Sequence, residues 1–237
     1  MVTKNQIKFI KGLAQKKNRV ITKKIIVEGH KIINEFLNSD YNLVELYSTQ
    51  KENFQTSNTV LVNQNELKKM SNFKNPSSSV AIFEINKKSL KNEDFYVLLD
   101  NIQDPGNLGN IIRTCEWFGI NQVICSKNSV DCYNPKVIQA SMGSLSRVSV
   151  FYVELSKFIK QKKLPLYAAD LCGDSIENLS FRSKGMWIFG SESHGINPNL
   201  RSLVNKFIKI PKQNSKVMTE SLNLSVAVGV VLSKFRI

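Results

Sequence analysis

The sequence predicts an α/β protein made of two alternating modules, the second built around a mostly parallel sheet. Three observations lead there. Short apolar runs alternate with segments of helical spacing along the whole chain, a polar stretch near residue 90 interrupts the alternation, and 42% of the 237 residues are hydrophobic, enough to fill buried cores.

In the first module, Ile7, Ile10, Leu13 and Ala14, then Ile32, Ile33, Phe36 and Leu37, recur at helical spacing around the apolar run "IIVEG", which reads as helix, strand, helix. "LVELYST" and "TVLVN" read as strands, "QNELKKMSN" as a short helix and "SSVAIFEI" as a strand closing near Asn86. The polar "NKKSLKNED" is the linker candidate, which divides the chain into a domain at 1–90 and another at 91–237. The second module continues with "FYVLLDNI" as strand, a loop, "GNIIRTCEWFG" as helix, "QVICS" as strand, a helix around "NPKVIQASMGSL" and "VSVFYV" as strand. The helix "ELSKFIKQK" and the strands "LPLYAADL" and "MWIFGSE" complete the pattern, with helices on both faces of the sheet.

Charge and composition narrow the function. Lysine and arginine number 33 against 19 acids, a formal charge of +14, which favours a polyanionic partner. Residues 1–90 hold 15 basic and 7 acidic residues, so the first third is the more basic per residue, and Lys16, Lys17, Arg19, Lys23 and Lys24 are its candidate contacts to such a partner. No apolar run reaches membrane-spanning length, and the start "MVTKNQIKFIKGLAQKKNR" lacks the apolar stretch of a signal peptide, so a cytoplasmic protein is expected. Cys115, Cys125, Cys132 and Cys172 form no C-x-x-C pair and only His30 and His194 could join them, so neither a disulfide framework nor a metal site is expected.

The loop "NIQDPGNLGN" follows a strand and precedes a helix, where ligands sit in parallel sheets. It carries neither G-x-G-x-x-G nor G-x-x-x-x-G-K-[ST], which leaves a dinucleotide-dependent oxidoreductase without its glycine fingerprint. As a tight turn it would bend at Pro105 and Gly106, with Asn107 as a candidate helix cap. Arg113 lies two turns into an otherwise apolar helix beside Ile111, Ile112 and Cys115, where a guanidinium is either paired or aimed at a ligand. Later, "IFGSESHGI" places Glu192 on a turn between Gly190 and Gly195. In "IPKQNSKVMTESLNLSVAVGVVL" the residues Leu222, Leu224, Val226, Val228 and Val230 alternate like a strand, while the length and the Ser/Asn start favour a helix.

The blocks "DNIQDPGNLGNIIRTCEWFGI", "IFGSESHGI" and "IPKQNSKVMTESLNLSVAVGVVL" resemble, in order and spacing, the three motifs of the SpoU/TrmH family of RNA ribose 2′-O-methyltransferases in the SPOUT superfamily, over roughly Asp94 to Phe235. "IIVEGHKIINEFL" in the basic first third is similar to the small α/β substrate-binding domain that many members carry. The resemblance implies a knotted (deep trefoil) parallel-sheet methyltransferase domain preceded by that small α/β RNA-binding domain. It also implies a homodimer with its active site at the subunit interface, and S-adenosylmethionine as a bent cofactor held in the knot, with no metal.

By the same likeness, Asn107, Arg113, Glu192, Ser221 and Asn223 fall on catalytic and RNA-contacting positions. Ala169, Gly190, Ile210 and Leu222 fall on cofactor-binding ones, although Ile210 and Leu222 read equally as core. Arg113 would hold a phosphate of the target nucleotide and stabilise charge growing on the 2′-oxygen, and Glu192 would orient this arginine or cap the turn after Gly190. The loop from Lys212 to Glu220 looks a few residues longer than the family's compact form, and "SLN" restores the match. Ribosomal RNA is favoured as substrate over transfer RNA because of the extra N-terminal domain. A catalytically silent RNA-binding assembly protein is the rival class, against which the intact Asn107, Arg113, Glu192 and Asn223 argue.

Overall fold

The computed structural model describes residues 2–50, 54, 56, 59–178, 184–214 and 218–236. These form two units, one of residues 1–88 with 131–147 and one of residues 89–130 with 148–237.

In the first unit, Thr3 caps helix α1 (Lys4–Gly12) in a reciprocal capping box with Gln6. A single helix would run on from there, yet the chain breaks and restarts as α2 (Lys16–Thr22). The reason lies in two side chains of α2 that take the carbonyls left open at the end of α1. Asn18 Nδ2 donates to Gly12 O at 2.7 Å, and Arg19 Nη1 donates to Leu13 O and Ala14 O, each at 2.7 Å. Then follow β1 (Lys24–Glu28), α3 (His30–Leu37), β2 (Leu43–Ser48), β3 (Thr59–Leu61), α4 (Gln64–Met70) and β4 (Ser79–Glu84). The sheet order is β1-β4-β2-β3, with β4 antiparallel to both neighbours and β3 parallel to β2. Ile10, Leu13, Ile26, Tyr47, Leu67, Met70, Val80 and Ile82 close its core.

The second unit begins with β5 (Phe95–Leu99), α5 (Pro105–Trp117) and β6 (Gln122–Ser126). The next segment, with α6 (Pro135–Ser141), groups with the first unit, where Asp131 meets Arg19 at 2.6 Å. The second unit resumes with β7 (Ser149–Val153), α7 (Leu155–Lys162), β8 (Leu166–Ser175), β9 (Gly185–Phe189), α8 (Pro198–Arg201), β10 (Lys206–Lys209) and α9 (Leu224–Arg236). Among the described residues its sheet is six-stranded and parallel throughout, in the order β10-β8-β9-β5-β6-β7.

Burial explains the continuous apolar strands. Tyr96, Leu98, Ala168 and Ile188 pack with Leu155, Phe158 and Ile159 of α7 and Leu200 of α8. Val97, Leu99, Trp187 and Phe189 are equally buried with side chains of opposite direction, and the Trp187 ring packs against Phe235 of α9 at 4.5 Å, centroid to centroid. The C-terminal apolar run is therefore a helix: Asn223 Oδ1 accepts from Ser225 N–H at 2.9 Å, and Val228, Val231 and Leu232 point into the core at helical spacing. Because β6 and β9 flank β5 on either side, the connections leaving β5 and β9 diverge, and this switch point is where an open parallel sheet holds its ligand.

Candidate functional site

The loop leaving β5 turns at Asn101, whose φ of 56° places a non-glycine residue in the left-handed region that asparagine tolerates. Two serines, one ending β6 and one just beyond it, hold the turn: Asn101 N–H donates to Ser126 Oγ at 2.8 Å and Ile102 N–H to Ser129 Oγ at 3.1 Å. The bend thus lies earlier than Pro105 and Gly106, which form the first turn of α5. Asp104, rather than Asn107, caps the helix by accepting from Asn107 N–H at 2.7 Å. With its backbone amide satisfied, Asn107 is free to use its side chain elsewhere.

That side chain meets residues of two distant segments. Asn107 Nδ2 donates to Glu192 Oε1 at 3.0 Å, and Asn223 Nδ2 donates to Asn107 Oδ1 at 2.9 Å and to Glu192 Oε1 at 3.2 Å. Leu224 N–H, at the start of α9, donates to the same carboxylate oxygen at 3.3 Å. One Glu192 oxygen, in the loop after β9, therefore ties together the first turn of α5 and the start of α9. Arg113 is not part of this cluster. It stands six residues beyond Asn107, about 120° around the helix, and faces solvent with no hydrogen bond or ion pair among the described residues. The expectation that Glu192 orients Arg113 is corrected accordingly: the carboxylate serves the two asparagines.

Glu192 also lines a cavity of about 540 Å³, a volume that suits a small organic cofactor. Ala169, Gly190, Ile210, Leu222 and Ser221 all line it, together with Phe189, Ile196 and Ile208, which the sequence alone offered only as strand or turn residues. Their apolar character was visible, but their direction depended on which strand ends meet. Ser221 is exposed and makes no hydrogen bond among the described residues. Asp170 and Lys212 add charge to the wall, and Asp170 is paired with Arg201 of α8.

Gly190 is indispensable to this shape. A Cβ there would lie 2.2 Å from the carbonyl carbon of Gly195 and 2.4 Å from Ile196 N, because segment 190–196 folds back on itself through Ser191 and Gly195. The largely apolar wall, with the carboxylates of Asp170, Glu192 and Glu220 on it, fits a group with an adenosine body and a cationic centre, as S-adenosylmethionine has.

The cysteines take no part. Cys115, on the inner side of α5, is buried and its thiol is pushed up by that burial, so it stays neutral and unreactive. Among the described residues no cluster of His, Cys, Asp or Glu could hold a metal ion, and no helix is long and apolar enough to cross a membrane.

Of the basic residues proposed from the sequence, Lys16, Lys17 and Lys23 are exposed, and Lys24 is half-buried with its Nζ 6.0 Å from the Phe9 ring centroid. Arg19 is corrected to a structural role. It is 3% exposed, bonded to two carbonyls and ion-paired with Asp131, so four of its five N–H donors are committed inside the fold and it is too buried to reach a phosphate.

Comparison with known proteins gives the family. The model of the SpoU rRNA Methylase family matches residues 94–233, and that of the MRM3-like substrate binding domain matches residues 4–81. The chain is 24% identical to the 23S rRNA guanosine 2′-O-methyltransferase RlmP of Bacillus subtilis, over 98% of this chain and 97% of that protein. A TrmH-family protein from Porphyromonas gingivalis has the same fold with a TM-score of 0.89 at 31% identity, covering 100% of this chain and 98% of that one. An AdoMet-bound rRNA methyltransferase from Sinorhizobium meliloti aligns with a TM-score of 0.84 at 27% identity, over 99% and 95% of the two chains. With the first model spanning more than half its length and meeting the site at all three segments, the chain belongs to the SpoU rRNA Methylase family.

Proposed function

We propose that this chain transfers a methyl group from S-adenosylmethionine to a ribose 2′-hydroxyl of RNA, with ribosomal RNA as its substrate. The observation that carries the reading is the Asn107–Glu192–Asn223 cluster bonded at the wall of the 540 Å³ cavity. The family match and the 23S rRNA activity named for the Bacillus relative support it.

When bound, S-adenosylmethionine supplies a methyl group already activated by its sulfonium, so the protein's task is alignment and proton removal. In this reading Ala169, Gly190, Ile210 and Leu222 hold the cofactor, largely through backbone groups at loop and strand ends. Glu192 fixes Asn107 and Asn223, whose amides, with the Ser221 hydroxyl, offer neutral hydrogen bonds to the target nucleotide. Arg113, exposed and uncommitted, grips a phosphate of that nucleotide and stabilises charge developing on the 2′-oxygen. It lowers the hydroxyl's pKa rather than acting as the base, since a guanidinium holds its proton, and the proton leaves to phosphate or water.

Residues 1–90 act as the RNA substrate-binding domain through Lys16, Lys17, Lys23 and Lys24, a role supported by the match to a substrate binding domain. Residues 91–237 form the methyltransferase domain, with the deep trefoil knot that the family likeness implies. The protein works as a homodimer, supported by Trp117 of α5 and Val226 of α9, which stand 84% and 50% exposed on two helices that pack together. The cytoplasm, where RNA and cofactor are both present, is its compartment.

The experiment is direct. Calorimetry should register S-adenosylmethionine binding in EDTA-containing buffer, and mapping of 2′-O-methyl sites in total RNA with and without the gene should reveal one lost ribosomal position. Absence of cofactor binding overturns the reading, and binding without any lost methyl mark favours the silent RNA-binding class.

A further inference from the structure

Asp100 is a buried carboxylate, 5% exposed, at the end of β5, and none of the roles above uses it. Its backbone N–H donates to Phe189 O at 2.9 Å, and its Oδ2 accepts from Asn197 N–H at 2.8 Å. Phe189 and Asn197 are the residues that flank segment 190–196 on its two sides. The residue that follows β5 therefore meets both stems of the segment that carries Glu192, one through its backbone N–H and the other through its carboxylate.

The segment has little else of its own to fix it. Ser191 and Gly195 exchange two backbone hydrogen bonds, at 3.1 and 2.8 Å, while Glu192, Ser193 and His194 are exposed. Yet Gly190, Ser191, Glu192, Gly195 and Ile196 all line the cavity. The bonds that Glu192 receives from Asn107, Asn223 and Leu224 are already 3.0 to 3.3 Å long, so a displacement of about half an ångström takes them past the range of a useful hydrogen bond. Burying a carboxylate is costly unless it is bonded, and a bond from a backbone N–H to a charged oxygen is among the stronger ones available. A buried acid placed here secures geometry at a cost that an apolar residue would not carry.

We propose that Asp100 is a positioning residue: its carboxylate holds Asn197 at the far stem of segment 190–196 while the backbone ladder holds Phe189 at the near one, and this sets the reach of Glu192 and the width of the cofactor cavity. What the cavity holds rests on the methyltransferase reading, whereas the clamp itself does not.

The test uses the full-length protein and the variants Asp100→Ala, Asp100→Asn, Glu192→Gln and Asp100→Ala combined with Glu192→Gln. Amide exchange is followed without cofactor, and S-adenosylmethionine affinity is measured by calorimetry. In Asp100→Ala, exchange at Ser191 and Gly195 should quicken while the amides of Trp187 and Ile188 in β9 keep wild-type protection. Cofactor affinity should fall about ten- to a hundredfold, the range set by loss of a hydrogen bond to a charged group. Asp100→Asn keeps an oxygen acceptor and should recover most of the affinity, and the double variant should cost less than the sum of its parts because both residues act through one geometry.

Affinity within twofold of wild type in Asp100→Ala, exchange that quickens equally in β9, or additive effects in the double variant would each overturn the proposal. If Asp100→Ala does not fold, Asp100→Ser, whose side chain is too short to hold Asn197 N–H in the same place, supplies the same cycle with Glu192→Gln. If the wild type itself binds no S-adenosylmethionine, the functional reading fails, and the exchange of Ser191 and Gly195 still decides the clamp.

Discussion

Replacing Arg113 by alanine separates chemistry from folding. The side chain is exposed on α5 and makes no hydrogen bond or ion pair among the described residues. Removing such a group changes stability by no more than about 0.5 kcal/mol, which for a chain of this length is about 1–2 °C in Tm. Arg113 does not line the cavity, so S-adenosylmethionine affinity should stay at its wild-type value. Methyl transfer should fall steeply: losing one donor that stabilises developing charge costs about 2.7–4 kcal/mol, a hundred- to a thousandfold in rate. Arg113→Lys should recover little, because an ammonium cannot reproduce a planar two-point contact with phosphate. The assay is single-turnover transfer to RNA, run beside calorimetry and thermal melting on the same preparations. A near-normal rate refutes the catalytic role, and a rate loss that tracks a fall in cofactor affinity or in Tm refutes the separation argued here.

Gly190→Ala should weaken S-adenosylmethionine binding at least about tenfold and destabilise the fold by about 1–3 kcal/mol, since its Cβ would sit 2.2 Å from backbone; wild-type affinity by calorimetry would contradict the proposed wall. Arg19→Ala should destabilise the protein by about 3–5 kcal/mol in denaturant melts, because it strands a largely buried Asp131, while leaving the salt dependence of RNA binding unchanged. Substituting Lys16, Lys17 and Lys23 together by alanine should flatten the slope of log K against log salt by about 0.9 for each duplex phosphate that is no longer neutralised; an unchanged slope assigns these lysines to a merely solvated face. Light scattering at micromolar concentration should give the mass of a dimer, and a monomer mass would remove the dimer from the proposal.

Local chemistry was readable in the sequence. Apolar spacing and cap residues act within a few positions, so the strands at "IIVEG", "FYVLLD" and "QVICS" and the helices at "QNELKKM" and "ELSKFIKQK" follow from the order of residues. The run after Asn223 shows the limit of spacing alone. Leu224, Val226, Val228 and Val230 alternate as a strand would, and it is the cap from Asn223 and the burial of Val228, Val231 and Leu232 that make a helix of it.

Tertiary structure decided the pairings between segments far apart in the chain. Arg19 looked like one of several free cations until Asp131, 112 positions away, claimed it, and the segment 131–147 that carries Asp131 groups with the first unit although it interrupts the second. Asn107 and Asn223 lie 116 positions apart, Asn107 and Glu192 85, and Asp100 and Asn197 97. Sequence nominated the residues because their types suit the chemistry. The strand order that puts β5 beside β9 determined which of them touch, since a hydrogen bond depends on distances of a few tenths of an ångström that only the assembled sheet sets.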